Sequence, residues 1–194
     1  NFKTSDTQLI AVKKPVFPFN KFPNQKVFLS PEMKSTGEVI GFDKHLGSAF
    51  AKAHAGSGER LPKTGKIFIS VNKLDKIKII PIARDFQELG FEIVATQGTS
   101  DLLSENGILT NSIFKVGEGR PNVVDAIKNG EIQLVINTPL GAQSRFDEYE
   151  IGRASIRYKV IVITTISGAQ AAVRGIRNLK SKTINYQSLQ EIFA

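Results

Sequence analysis

The sequence contains no cysteine, no tryptophan and a single methionine. Without thiols there can be no disulfide framework, no thiolate metal site and no cysteine nucleophile. Histidine is almost as scarce. His45 and His54 are the two in the chain, and neither has a second ligand at metal spacing beside it. Acids are also outnumbered: 18 Asp and Glu face 26 Lys and Arg, a formal net charge of +8. That balance favours anionic partners such as phosphates. No apolar run approaches the roughly 18 residues that a membrane-spanning helix needs, so no membrane partner is expected. The start, Asn1-Phe2-Lys3-Thr4-Ser5-Asp6, has neither an initiator Met nor the apolar core of a signal peptide. The expectation is a cytoplasmic chain that is a piece of something longer.

What is present suffices for a core. Apolar residues make up 41% of the 194 and charged residues 23%, the balance of an ordinary globular protein. The chain changes character near residue 61. Before it lie Pro15, Pro18, Pro23 and Pro31, with little periodicity. Residues 12–19 alternate like a strand, but Pro15 and Pro18 confine it to an edge or a bulge. Leu46 to His54 has helical spacing, with Leu46, Ala49, Phe50 and Ala53 on one face, and Gly56-Ser57-Gly58 ends it. Residues 1–60 therefore look like the end of a domain, 61–65 like a linker, and 66–194 like a domain of their own.

In that last segment β-branched runs alternate with helical patterns, the signature of a parallel sheet. Expected strands are 66–71, 91–95, 113–116, 134–137 and 160–164. Pro81 fits a helix only in the first turn, so the first helix is expected to begin near Ile79 or Ile80 and to end at Gly90. Residues 99–105 and 122–128 are two further helices. Ser144-Arg145-Phe146-Asp147 has the pattern of a capping box, opening a helix that runs to about Tyr158. The fold class is α/β, a Rossmann-like, mainly parallel five-stranded sheet flanked by helices.

Such sheets bind ligands at the C-terminal strand ends, beside helix N-termini whose free N–H groups attract anions. The residues there are Asn72 and Lys76, then Thr96-Gln97-Gly98-Thr99, Lys115 with Gly117-Glu118-Gly119-Arg120-Pro121, Asn137-Thr138-Pro139-Leu140-Gly141, and Thr164-Thr165. Amides, hydroxyls and two lysines with few acids suit a phosphate-bearing small molecule. Gly117-x-Gly119 lacks dinucleotide spacing and no Walker A sequence occurs. Ser70, Ser100 and Ser144 have no histidine in the sheet domain to act as base, so no catalytic residue and no metal is expected here. The basic residues Arg174, Arg177, Lys180 and Lys182 lack interleaved aromatics and read as a solvated helix end, which disfavours nucleic acid. Leu61-Pro62-Lys63-Thr64-Gly65 matches a cell-wall sorting pentapeptide but lacks the apolar span and basic tail that such a signal requires.

Two stretches go beyond pattern. Pro18-Phe19-Asn20-Lys21-Phe22-Pro23 with Leu29-Ser30-Pro31-Glu32-Met33-Lys34-Ser35-Thr36-Gly37-Glu38-Val39 resembles the close of the second ATP-grasp unit in the large chain of carbamoyl-phosphate synthase. The strand-end sequences 96–99, 115–121 and 136–141 resemble the methylglyoxal-synthase-like domain that follows it there. The resemblance implies a regulatory region that binds a nucleotide monophosphate such as UMP or IMP, within an enzyme that makes carbamoyl phosphate for arginine and pyrimidine synthesis. It implies effector contacts at Lys76, Thr96, Thr99, Lys115 and Asn137, and an ornithine-site remnant at Leu29, Asp147, Thr164 and Thr165. ATP and Mg²⁺ would act in the full large chain, with no cofactor in this stretch. The implied partners are a glutaminase small chain, the upstream large-chain domains and a homo-oligomer. In two places the sequence departs from the pattern. Lys14 replaces an acid of the ornithine site, and Pro139 replaces a threonine of the nucleotide site. The rival readings are an active methylglyoxal-synthase-like lyase and a basic nucleic-acid-binding module.

Overall fold

In the computed structural model, residues 9–17, 37–140, 145–181, 184–188 and 190–191 are described. The elements in chain order are β1 (Ile10–Val16), β2 (Gly37–Asp43), α1 (Leu46–Gly56), β3 (Lys66–Val71), α2 (Lys76–Glu88), β4 (Glu92–Thr96), α3 (Gln97–Glu105), β5 (Thr110–Ile113), α4 (Val123–Lys128), β6 (Ile132–Thr138), α5 (Arg145–Tyr158), β7 (Ile161–Ile163) and α6 (Ile166–Ser181). β1 and β2 form an antiparallel pair in which Pro15 faces Glu38. A two-stranded ribbon is all edge, so the missing Pro N–H disrupts no inner ladder.

The other five strands form a parallel sheet in the order β5-β4-β3-β6-β7. From β3 the chain winds outward through β4 to β5, then returns to lay β6 on the opposite side of β3. The direction of winding thus reverses between β3 and β6, which opens a crevice at their C-terminal ends. Successive side chains of a strand point to opposite faces. Ile67, Ile69, Ile93, Ala95, Leu134 and Ile136 therefore face a core closed by Ile79, Ile82 and Phe86 of α2, Leu103 of α3 and Ala172, Val173 and Ile176 of α6. Phe68, Val94 and Val135 face the other way, onto Val123, Val124 and Ile127 of α4 and Ile151 and Ala154 of α5.

The N-terminal elements stack on the outside of α6. A Cβ on Gly47 would lie 2.5 Å from the backbone carbonyl of Arg174, and one on Gly41 would lie 2.1 Å from the Ala49 oxygen. Only glycine allows main chains to approach that closely. Leu61, at the head of the expected linker, is buried and would be met at 2.9 Å by a Cβ on Gly175.

The structure corrects several sequence boundaries. The strand expected at 113–116 lies at 110–113, because this edge strand is largely solvated and carries no alternation to read. β2 has no counterpart among the expected strands, since its half-exposed residues and Gly41 weaken the signal. α2 begins at Lys76, three residues before the expected start, with Pro81 inside it. Pro81 leaves the Ile77 carbonyl without its helical donor, but Ile77 is 79% exposed and Pro81 is exposed too, so water can serve that carbonyl. The end of α2 follows expectation: Gly90 has φ +83, with bonds from Gly90 N to Gln87 O and from Phe91 N to Phe86 O. Those are the paired bonds of a Schellman cap. Ser144 lies outside the described residues, so its capping box does too.

Candidate functional site

A cavity of about 470 Å³ opens at the crevice between β3 and β6. Period-two alternation builds its floor. Phe68 and Ser70 of β3, Thr96 of β4 and Asn137 of β6 fall on the α4–α5 side, joined by Val123 of α4 and Ile151 of α5. Asn72 and Lys73 from the turn after β3, Lys115 and Val116 from the loop after β5, Thr138 at the end of β6 and Pro139 and Leu140 beyond it complete the wall with Asp147 of α5. The cavity pairs an apolar floor with convergent amides, hydroxyls and ammonium groups, as small-molecule sites do.

Hydrogen bonds hold the β3 rim in place. The Asn72 amide donates to Asp75 Oδ2 at 2.8 Å and to the Thr138 carbonyl at 3.0 Å, tying the turn after β3 to the end of β6. Asn72 Oδ1 accepts from Leu74 N at 2.8 Å. Thr96 Oγ1 lies 3.5 Å from Ser70 Oγ. The buried Asn137 side chain has no hydrogen-bond partner among the described residues. The residue is 8% exposed, and its amide opens on the cavity, where a ligand can meet it.

Charge is distributed unevenly. Lys115 Nζ lies 3.3 Å from Glu118. Burial raises the Asp147 carboxyl above its ordinary value; Lys115 pulls it down and Glu118 pushes it further up. For Asp75, burial acts upward but is outweighed by hydrogen bonds from Asn72 and Thr138 and by Lys78, which leave it lowered.

The structure separates the sequence-predicted residues. Thr96, Lys115 and Asn137 meet in the cavity. Lys76 and Thr99 do not line it but stand beside it, in the first turns of α2 and α3 next to Thr96. Lys76 Nζ donates to the Gly98 carbonyl at the start of α3, and Thr99 is buried there. Asp147, assigned by resemblance to an ornithine site, lines the same cavity as Lys115. Thr165 Oγ1 instead accepts from Gly168 N at 3.1 Å and caps α6; Thr164 precedes it at the end of β7, and neither lines the cavity. Leu29 lies outside the described residues. Lys14 is paired at 3.0 Å with Glu59, which also accepts from His54 Nδ1 at 3.0 Å. Pro139 lines the cavity without a donor. Lys73 is the wall residue that sequence reading missed. The signal was the strand-end rule itself, since Lys73 immediately follows Asn72.

Two of the basic residues of α6 serve the fold. Arg177 pairs with Asp85 at 2.7 Å, and Lys180 donates to the Leu89 carbonyl at the end of α2 while lying 5.6 Å from the Phe91 ring centre.

A parallel sheet in this order with a polar crevice at its switch point defines the class, and residues 78–164 match the family model of the MGS-like domain. The chain carries that domain, and over nearly its whole length it is homologous to the C-terminal part of carbamoyl phosphate synthase large chains. It is 50% identical to the large chain of Nostoc sp. over 94% of this chain and 16% of that protein. It is 46% identical to the large chain's C-terminal section in Aquifex aeolicus, over 100% of this chain and 37% of that one. The corresponding section of Methanopyrus kandleri is 47% identical over 96% and 35%. The chain thus spans well under half the length of these relatives.

Proposed function

We propose that this chain is the regulatory C-terminal region of a glutamine-dependent carbamoyl-phosphate synthase large chain and that its cavity holds a nucleoside monophosphate of the UMP or IMP type. One observation carries the reading: the Asn137 amide, with no hydrogen-bond partner among the described residues, opens on one cavity with Thr96 and Lys115. A phosphoryl group would accept from the ammonium, the hydroxyl and the amide together. The apolar floor of Phe68, Val123 and Ile151 would take the base. In this reading residues 1–60 close an ATP-grasp unit, and ATP, Mg²⁺ and glutamine-derived ammonia act on upstream domains and a glutaminase small chain in the cytoplasm. The described residues contain no group of acids and histidines able to hold a metal ion, and no chemical step is assigned to them.

Calorimetric titration of UMP and IMP into the native protein tests the site. Lys115→Ala should weaken binding by about 1–3 kcal/mol, the scale of a charge-assisted contact. Absence of binding by both nucleotides, or indifference to the substitution, would overturn the reading. The half-buried Asp147 favours one alternative, a lyase that eliminates phosphate from dihydroxyacetone phosphate, because a carboxylate with a raised pKa can serve as a base. Release of phosphate from that triose, abolished by Asp147→Asn, would establish it instead.

A further inference from the structure

A larger hollow lies away from the crevice. A cavity of about 1080 Å³ opens where β2, α1, residues 60–63, the end of α6 and the stretch at 184–187 come together. Small residues make the room: Ala51, Ala55 and Gly56 fall on one face of α1 at helical spacing and present almost no side chain. The rest of the wall is largely apolar, with Leu61 and Leu179 beside Ile184. At its edge Ile40 and Tyr186 stay 53% and 68% exposed. Large apolar side chains gathered in water around a hollow mark a place where a ligand binds.

The charge at this cavity has one sign. Its charged residues are Lys52, Arg60 and Lys63, and no acid lines it. Lys52 is engaged within the fold, 2.9 Å from Asp43 and donating to the Phe42 carbonyl at 2.9 Å. Arg60 and Lys63 are exposed and have neither an ion pair nor a side-chain hydrogen bond among the described residues. They bracket the buried Leu61, so two unpaired cations stand beside an apolar anchor. A neutral apolar ligand would leave those cations unmatched, and a small inorganic anion would leave the apolar wall wet. We propose that this cavity binds an amphiphilic organic anion, a carboxylate carried on an apolar tail, with the tail against Ala51, Ala55 and Leu61 and the carboxylate at Arg60 and Lys63. The cavity shares no lining residue with the crevice at the end of β3 and β6, so the inference is independent of the nucleotide reading.

Decanoate, octanoate and decanol are the probes, titrated calorimetrically into the native protein. Decanoate should bind about tenfold more tightly than octanoate, the scale of two further buried methylenes, and should raise the melting temperature as its concentration rises. It should also bind about tenfold more tightly than decanol, the scale of a charge-assisted contact. Arg60→Gln combined with Lys63→Gln should erase the preference for the acid over the alcohol. Ala55→Leu, which intrudes on the hollow, should shrink the preference for the longer tail. Lys128→Gln, in α4 on the other side of the sheet, should change nothing. The inference is overturned if decanoate does not bind, if tail length has no effect, if the preference for the acid survives in the double variant, or if Lys128→Gln weakens binding as much.

Discussion

The same five strands build two unlike faces. On one, the side chains of β3, β4 and β6 are apolar up to Thr138, the last residue of β6, and are covered by α2, α3 and α6, with α1 stacked outside. On the other, the apolar residues Phe68, Val94 and Val135 give way toward the C-terminal ends to Ser70, Thr96 and Asn137, and there α4 and α5 leave a cavity. A parallel sheet needs cover on both sides, so the polar ends on one face cost stability that the opposite face must supply. Division of labour between faces lets the site carry an amide without a hydrogen bond and a lysine, Lys73, without an ion pair among the described residues while the fold holds.

That contrast can be broken from either side. The largest effect belongs to Phe86→Ala. The side chain is fully buried in the closed face and meets Phe91 edge-on at 5.9 Å between ring centres. Its removal should cost about 3–5 kcal/mol of stability in a denaturant titration, with nucleotide affinity unchanged under folding conditions. Asn137→Ala on the open face should do the reverse. Stability should stay within about 1 kcal/mol, because the lost amide had no partner, while the nucleotide site loses about tenfold in affinity. A large loss of stability there would show that the polar rim is structural after all.

The smallest effect concerns the outermost layer of the closed face. Since a carboxylate can only accept, His54 Nδ1 must carry the hydrogen in its 3.0 Å contact with Glu59. Burial works to raise the Glu59 carboxyl, but the bond from His54 and the Lys14 ammonium outweigh it and hold the group below the usual 4.5. A depressed carboxyl stabilises the fold fully above its unfolded value and loses that contribution as pH falls below 4.5 through the folded value. Glu59→Gln should therefore lower stability at neutral pH and flatten its decline on acidification, read as melting temperature against pH.

Sequence resolved the closed face better than the open one. Residues 66–71 emerge as a strand because Ile67, Ile69 and Val71 alternate against a buried core, and Gly90 marks a helix end because its backbone conformation all but requires glycine. Strand-end chemistry was legible too, and it brought Thr96, Lys115 and Asn137 together. Which of the strand-end residues line the cavity was not. Lys76 and Thr99 follow strand ends as Lys73 does, a little further on, but they belong to the first turns of α2 and α3 and do not line the cavity. The polar edge strand β5 was displaced because a solvated strand leaves no hydrophobic period to read.

The meeting of Gly47 with Arg174 has a mechanical corollary. At that point main chain rests on main chain, with the Arg174 Cβ and the bond from Asn178 to Ser48 Oγ beside it, so little is left there to repack. A contact of this kind gives way less than one built of long side chains. A push on the N-terminal ribbon would thus arrive at α6 as rigid travel rather than fade as local repacking.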